Sequence, residues 1–252
     1  PGTSIRCDIR ILDLQRDQVR ATGELVLPDG TLWCRVDGWT SLVFHLDEVM
    51  EPIYHNPEKS FVVEPQPGTW NVVRERWPNG TSREMTAKRF LSRAEREIYG
   101  SLNLMQQRRW LLDVIAAKDS VRLWLYHVDS IELFPVEVQV EPDGPRRWRA
   151  VGPKIPDFYD LRITVCPLEW GAVAIVDHDR YLDVEARVVP PGGDAEVLAK
   201  EAAAELAERN PGMEIAWSAQ PYHIWASLLA PTLPIATAWT VRPPTKPLFK
   251  DQ

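Results

Sequence analysis

Arg108-Arg109-Trp110-Leu111-Leu112-Asp113-Val114-Ile115-Ala116-Ala117-Lys118-Asp119-Ser120-Val121-Arg122 decides how this chain is read. Trp110, Leu111, Val114, Ala117, Val121 and Leu125 recur at helical spacing, so the stretch predicts one long amphipathic helix from about Met105 to Tyr126. Downstream lies Leu182-Asp183-Val184-Glu185, in which two carboxylates stand two residues apart. Residues so spaced on a strand point to one side, so Asp183 and Glu185 can share a hard divalent cation, while the basic helix can hold the phosphates that such a cation accompanies. Sharing one cation requires the two carboxylates within about 5 Å of each other. The alternating solvent face of a strand also produces Asp-x-Glu, and the solvated face of a helix also produces such basic residues.

Outward from the helix, Ser92 before Arg93-Ala94-Glu95 has the form of a capping box and opens a shorter helix to about Tyr99. Ile5 to Leu12, Gln18 to Leu27 and Thr31 to Leu46 read as a strand meander, with a Pro28-Asp29-Gly30 turn between the last two. Residues 47–88, with Pro52, Pro57, Pro65, Pro67 and Pro78, read as an extended connector. Val136 to Val140 and Trp148 to Val151 are expected as strands around Asp143-Gly144. Arg162 to Val165, Ala172 to Val176 and Leu182 to Val189 are expected as the sheet of a second lobe. Ala195 to Arg209 is helical by composition and stops at Asn210-Pro211-Gly212. Met213 to Gln252 is rich in Pro and Trp, and Trp217, Trp225 and Trp239 are expected to pack on the core or on a neighbouring domain.

At 252 residues, 44% hydrophobic and 26% charged, the chain is globular in composition. A net charge of −7 and a pI near 5.3 argue against a nucleic-acid partner, whose phosphates require clustered positive charge. Arg146-Arg147-Trp148-Arg149 is a local basic cluster suited to a small phosphorylated ligand. No apolar run approaches the roughly 18 residues of a membrane span, and the start of the chain lacks a signal-peptide core, so a cytoplasmic piece of a longer polypeptide is expected. Cys7, Cys34 and Cys166 are too scattered for a disulfide framework or a zinc cluster. The five histidines have no metal-ligand spacing, and Asp177-His178-Asp179 is expected as a turn.

Leu91-Ser92-Arg93-Ala94-Glu95-Arg96, the Trp110 to Arg122 stretch, Leu133-Phe134-Pro135-Val136-Glu137 and Asp183-Val184-Glu185 together resemble the surfactin-type phosphopantetheinyl transferases. The version most similar ends large actinobacterial polyketide and polyunsaturated-fatty-acid-type synthases, after a hot-dog dehydratase region. The resemblance covers most of residues 1–189 and fades beyond Pro190. It implies an α+β fold in three parts: a hot-dog-like dehydratase strand remnant over 1–46, a connector over 47–88, and a two-lobed transferase-like domain over 89–252, divergent after 190. Such enzymes move the phosphopantetheine arm of coenzyme A to a carrier-protein serine with Mg²⁺ across the pyrophosphate. The resemblance therefore implies Asp183 and Glu185 as metal ligands, Lys118, Arg93 and Arg96 as coenzyme A contacts, and an acyl carrier protein or neighbouring synthase domains as partners.

The departures from the family pattern are chemical. Cys166-Pro167 stands where the family has His-Ser or His-Thr, seventeen residues before Asp183; this places Cys166 in the coenzyme A pocket without an imidazole, and Pro167 offers no backbone donor. Asp113 replaces a helix glycine. Val197-Leu198-Ala199-Lys200-Glu201-Ala202 is the nearest match to the family's Trp-x-x-Lys-Glu-Ala helix and offers Glu201 as the third carboxylate, although any Ala-rich helix yields that tripeptide readily. A transferase-like region with weak or lost activity is therefore expected. The alternative is a non-catalytic structural or docking module, and a dehydratase fragment ranks third because no catalytic His/Asp pair is assignable.

Overall fold

The computed structural model describes residues 4–15, 18–42, 50–66, 70–77, 80–219 and 235–241. It is a mixed α and β structure with antiparallel sheets, divided into one unit over Pro1–Asp47 and another over Glu48–Gln252.

In the first unit, β1 (Arg6–Leu14), β2 (Gln18–Val26) and β3 (Leu32–Leu42) form an antiparallel sheet in the order β1-β2-β3. Residues 43–46, expected to prolong the third strand, lie outside the described residues. Ile9 pairs with Gly23 and Ile11 with Ala21, while Gly23 pairs with Val36 and Ala21 with Trp39. Paired residues share a face, so Ile9, Ile11, Val36 and Trp39 make one side apolar, whereas Asp8, Arg10, Glu24 and Arg35 occupy the other. Gly30 closes the β2–β3 turn at φ 86°, a left-handed value that suits glycine, and its N–H donates to Leu27 O at 2.9 Å.

The second unit begins with α1 (Met50–His55), β4 (Glu64–Pro65), β5 (Trp70–Arg74) and α2 (Gly80–Phe90). Residues read from their prolines as a connector thus supply two strands and two helices. Pro52 lies in the first turn of α1, Pro57 in a turn and Pro65 in the edge strand β4, while Pro67 and Pro78 lie outside the described residues; the apolar run Trp70-Asn71-Val72-Val73 enters the sheet. Next come α3 (Arg93–Ser101) and α4 (Leu104–Asp129), then β6 (Gln139–Pro142), β7 (Arg147–Val151), β8 (Leu161–Leu168) and β9 (Gly171–His178). Val136, expected in a strand, lies in a 3-10 turn over Pro135–Glu137: Pro135 fits the first helical position, and Glu137 Oε2 accepts from Phe134 N at 3.0 Å. His178 continues β9, and the turn comes at Asp179, with φ 68°. The unit ends with β10 (Val184–Val188), α5 (Ala195–Arg209), β11 (Ile215–Ser218) and β12 (Ile235–Thr240).

A six-stranded sheet runs β4-β5-β9-β8-β7-β6, and a three-stranded sheet runs β10-β12-β11. β10 was expected beside β8 and β9, but both outer edges of that hairpin are taken by β5 and β7, so β10 pairs with β12 instead. The strand alternation divides the large sheet cleanly. Ile163, Val165, Ala172, Ala174 and Val176 face α4, and the two alanines leave room for the helix to approach. Trp70, Val72, Cys166, Leu168, Val173 and Ile175 face the other way and form a core with Leu182, Val184, Ala186, Ile235 and Trp239. α5 covers the far side of the small sheet through Ala199, Ala202 and Leu206, which meet Ala236 and Ala238. The order of layers is α4, large sheet, small sheet, α5.

Among the described residues, no helix is long and apolar enough to cross a membrane. Trp239 packs 5.8 Å from Trp70 in the core between the sheets, whereas Trp217 is largely exposed beneath Lys200; Trp225 lies outside the described residues.

Candidate functional site

The carboxylate pair sits where β10 leaves the core. Asp183 is tied down by its backbone: its N–H donates to Thr240 Oγ1 at 2.7 Å, and its carbonyl accepts from Thr240 N at 2.9 Å. Its Oδ1 accepts from Val184 N at 3.0 Å and its Oδ2 from Asn210 Nδ2 at 3.2 Å. Two residues on, Glu185 Oε2 accepts from Arg146 Nη1 at 2.9 Å and from Arg209 Nη2 at 2.8 Å. The same Arg209 nitrogen lies 3.8 Å from Asp183 Oδ2, so one guanidinium reaches both carboxylates.

The two arginines come from separate elements. Arg146 stands in the β6–β7 turn at φ 62°, and its side chain reaches Val165 O at 3.1 Å and Val184 O at 2.5 Å as well as Glu185. Arg209 is the last residue of α5, where positive charge also suits the helix dipole. Burial works against ionising Glu185, but Arg146 and Arg209 together hold its carboxyl below the usual value. Guanidinium occupies the place of a cation at this pair. A divalent ion would have to displace Arg209 and compete with Arg146, and among the described residues no group of three or more His, Cys, Asp or Glu side chains could hold one.

Cys166 faces the same cluster from β8. Its Sγ lies 3.9 Å from Glu185 Oε1 and accepts from Ala186 N at 3.3 Å, and burial pushes the thiol up to about 11. A buried thiol of that kind is neutral and unreactive at pH 7. On α4, Asp113 adds a third carboxyl near the arginines. Burial raises it to about 7 despite the opposing charges of Arg109 and Arg146, and among the described residues its Oδ1 has no hydrogen-bond partner.

The other residues chosen from sequence lie apart from the pair. Lys118 is fully buried; its Nζ donates to Glu95 Oε2 at 2.6 Å and to Phe90 O at 2.7 Å, so its charge is spent inside the fold. Glu95 is also the capping-box residue of α3 and accepts from Ser92 N at 2.7 Å, which explains why a carboxylate waits there for a lysine. Arg93 is exposed and pairs with Glu97 at 3.5 Å, and Arg96 is exposed on the same helix. Glu201 lies on the exposed side of α5 and accepts from Arg187 at 2.9 Å. A half-open cavity of about 350 Å³ lies beside the C-terminal half of α4, lined by Trp70, Asn71, Ser120, Trp124 and His127 among others, and it includes no member of the carboxylate cluster.

Arg209 and Asn210 are the cluster members that sequence reasoning did not select. The available signal was a basic residue in the last helical turn, which ordinarily reads as dipole compensation. Arg146 was legible only as part of a basic run. No protein-family model, curated protein or solved structure matches the chain.

Proposed function

We propose that this chain is a phosphopantetheinyl-transferase-like region of a multidomain polyketide- or fatty-acid-type synthase that serves as a non-catalytic structural module. In this reading its partners are neighbouring synthase domains or a carrier protein, its compartment is the cytoplasm, and its first sheet is a remnant of a hot-dog dehydratase. The observation that carries the reading is the double acceptance at Glu185, whose Oε2 takes hydrogen bonds from both Arg146 and Arg209. A half-buried carboxylate satisfied by two guanidiniums is a structural tie between the β6–β7 turn, β10 and the end of α5, and gives up that arrangement at a cost of several kcal/mol. Burial of Lys118 against Glu95 supports the same reading, because a cation fully enclosed in the fold does not meet a phosphate.

Mass spectrometry of an apo carrier protein incubated with coenzyme A, Mg²⁺ and this chain tests it. No gain of the phosphopantetheine mass is expected. A gain that Asp183→Ala abolishes would establish catalysis and overturn the reading, with Asp183 and Glu185 then acting as the metal ligands that the family resemblance implies.

A further inference from the structure

At the end of β5, away from the carboxylate pair, two donor atoms of Arg74 have no hydrogen-bond partner among the described residues. Trp70, Val72 and Arg74 share one face of that strand, so an arginine follows two core residues on the buried side of the sheet. Its cross-strand neighbour on β9 is Gly171, which has no side chain to pair with it. On the other edge, β4 pairs only as far as Glu64 opposite Val72, so the ladder supplies no residue beside Arg74 there. Glu64 is the nearby carboxylate, and its Oε1 already accepts from Arg76 Nη2 at 2.7 Å. Arg74 and Arg76 therefore both face Glu64.

The orphaned atoms of Arg74 are informative in themselves. Nε and Nη2 are both buried, and among the described residues both lack a hydrogen-bond partner. These two N–H groups lie on one edge of the guanidinium and point in parallel, the arrangement that meets the two oxygens of a carboxylate or phosphate. Buried donors are almost always paired, so two unpaired donors on one such edge mark a missing acceptor. Burial also pulls the Arg74 guanidinium down to about 10 against the attraction of Glu64, which leaves it charged at neutral pH. The residue as a whole is only partly buried.

We propose that the Arg74 corner of β5 is an oxyanion-binding subsite, in which Arg74 takes a carboxylate or phosphate group in a bidentate pair. The adjacent corner is spoken for: Arg108 donates to Glu75 at 2.5 Å and lies 3.8 Å from the centre of the Trp170 ring, so that pair is neutral and contributes no competing site.

Nuclear magnetic resonance of arginine side-chain N–H groups in the full chain tests the proposal, with inorganic phosphate and acetate titrated separately at low ionic strength. A saturable shift of the Arg74 Nε–H signal is expected; a response to phosphate alone assigns the site to phosphate groups, and a response to both assigns it to oxyanions generally. Arg74→Gln should weaken the response of neighbouring backbone signals at least tenfold, and Arg74→Lys, which keeps the charge but loses the fork, by a similar factor. Arg93→Gln, at an exposed pair elsewhere, should leave it unchanged. Should Arg74→Gln not fold, the Arg74→Lys spectrum decides. Absence of a saturable shift with either anion, or an unaltered response in Arg74→Lys, overturns the proposal.

Discussion

Asp113 shows how one side chain can make stability depend on pH. An exposed aspartate titrates at 3.8, and burial of its side chain on α4 raises Asp113 to about 7 even though Arg109 and Arg146 pull the other way. Between those values the folded chain holds a proton that the unfolded chain has released, so stability falls as pH rises. The contribution of the protonated carboxyl is therefore complete below about pH 4 and is lost as pH climbs through 7. Asp113→Asn keeps the shape and removes the ionisation. Urea denaturation should show the variant more stable than the parent at pH 8, on the order of 2 kcal/mol after allowing for the partial exposure of the group, and close to it at pH 4. Equal stability of the two chains at pH 8 would mean that Asp113 is comfortably ionised in the fold. At this scale the sequence conveyed less than the fold. Lys118 and Asp183 are visible as charges, but whether a charge meets solvent, a ligand or another residue depends on contacts such as Lys118 with Glu95 and Asp183 with Asn210, which join positions far apart in the chain.

Elements whose limits are set by their own few residues were legible, and elements defined by distant partners were not. Ser92 and Glu95 form a full capping box, Asp194 caps α5 through Glu196 and Val197, and that helix ends at Arg209 as its composition and the following Asn-Pro-Gly predict. α4 runs slightly beyond its expected limits because Asn103 and Gln106 make a second capping box at its start. Its amphipathic reading was incomplete: Lys118, Asp119, Ser120 and Arg122 are as buried as the apolar face, since Asp119 accepts from Val62 N at 2.7 Å, Arg122 donates to Ser60 O, Lys118 donates to Glu95 and Phe90 O, and Ser120 accepts from Asn71. Sheet membership was the weakest point, because β5 and β9 lie about a hundred residues apart in the chain and neither carries a signal of the other. Their junction is also tight. A Cβ on Gly171 would stand 2.5 Å from Val73 O, a contact with backbone that cannot turn away. Gly171→Ala should therefore cost about 1–3 kcal/mol by thermal or urea unfolding, and a variant as stable as the parent would show that the β5–β9 pair opens without penalty.

For the molecule as a whole, the two units differ in how much of their own surface they bury. Among the described residues of the first unit only the apolar residues Ala21 and Val26 are buried, whereas the largest fully enclosed side chains, Trp70, Arg122, Phe90, Lys118 and Ile53 among them, all belong to the second. A three-stranded sheet with one apolar face needs something packed on that face to persist, since folding must overcome a chain-ordering cost that few buried side chains offset. The layered unit meets that requirement internally: α4 and the small sheet cover the two faces of the six-stranded sheet, and α5 covers the small one. The meander and the layered unit were therefore separable in the sequence by pattern, with period-two alternation in one and caps and long helices in the other, but their unequal self-sufficiency becomes visible only in burial. The fragment 48–252 is expected to unfold cooperatively and to give well-dispersed amide resonances, while the fragment 1–47 alone is expected to show neither. Loss of dispersion in 48–252 would place part of its stabilising core in the first sheet and refute the separation.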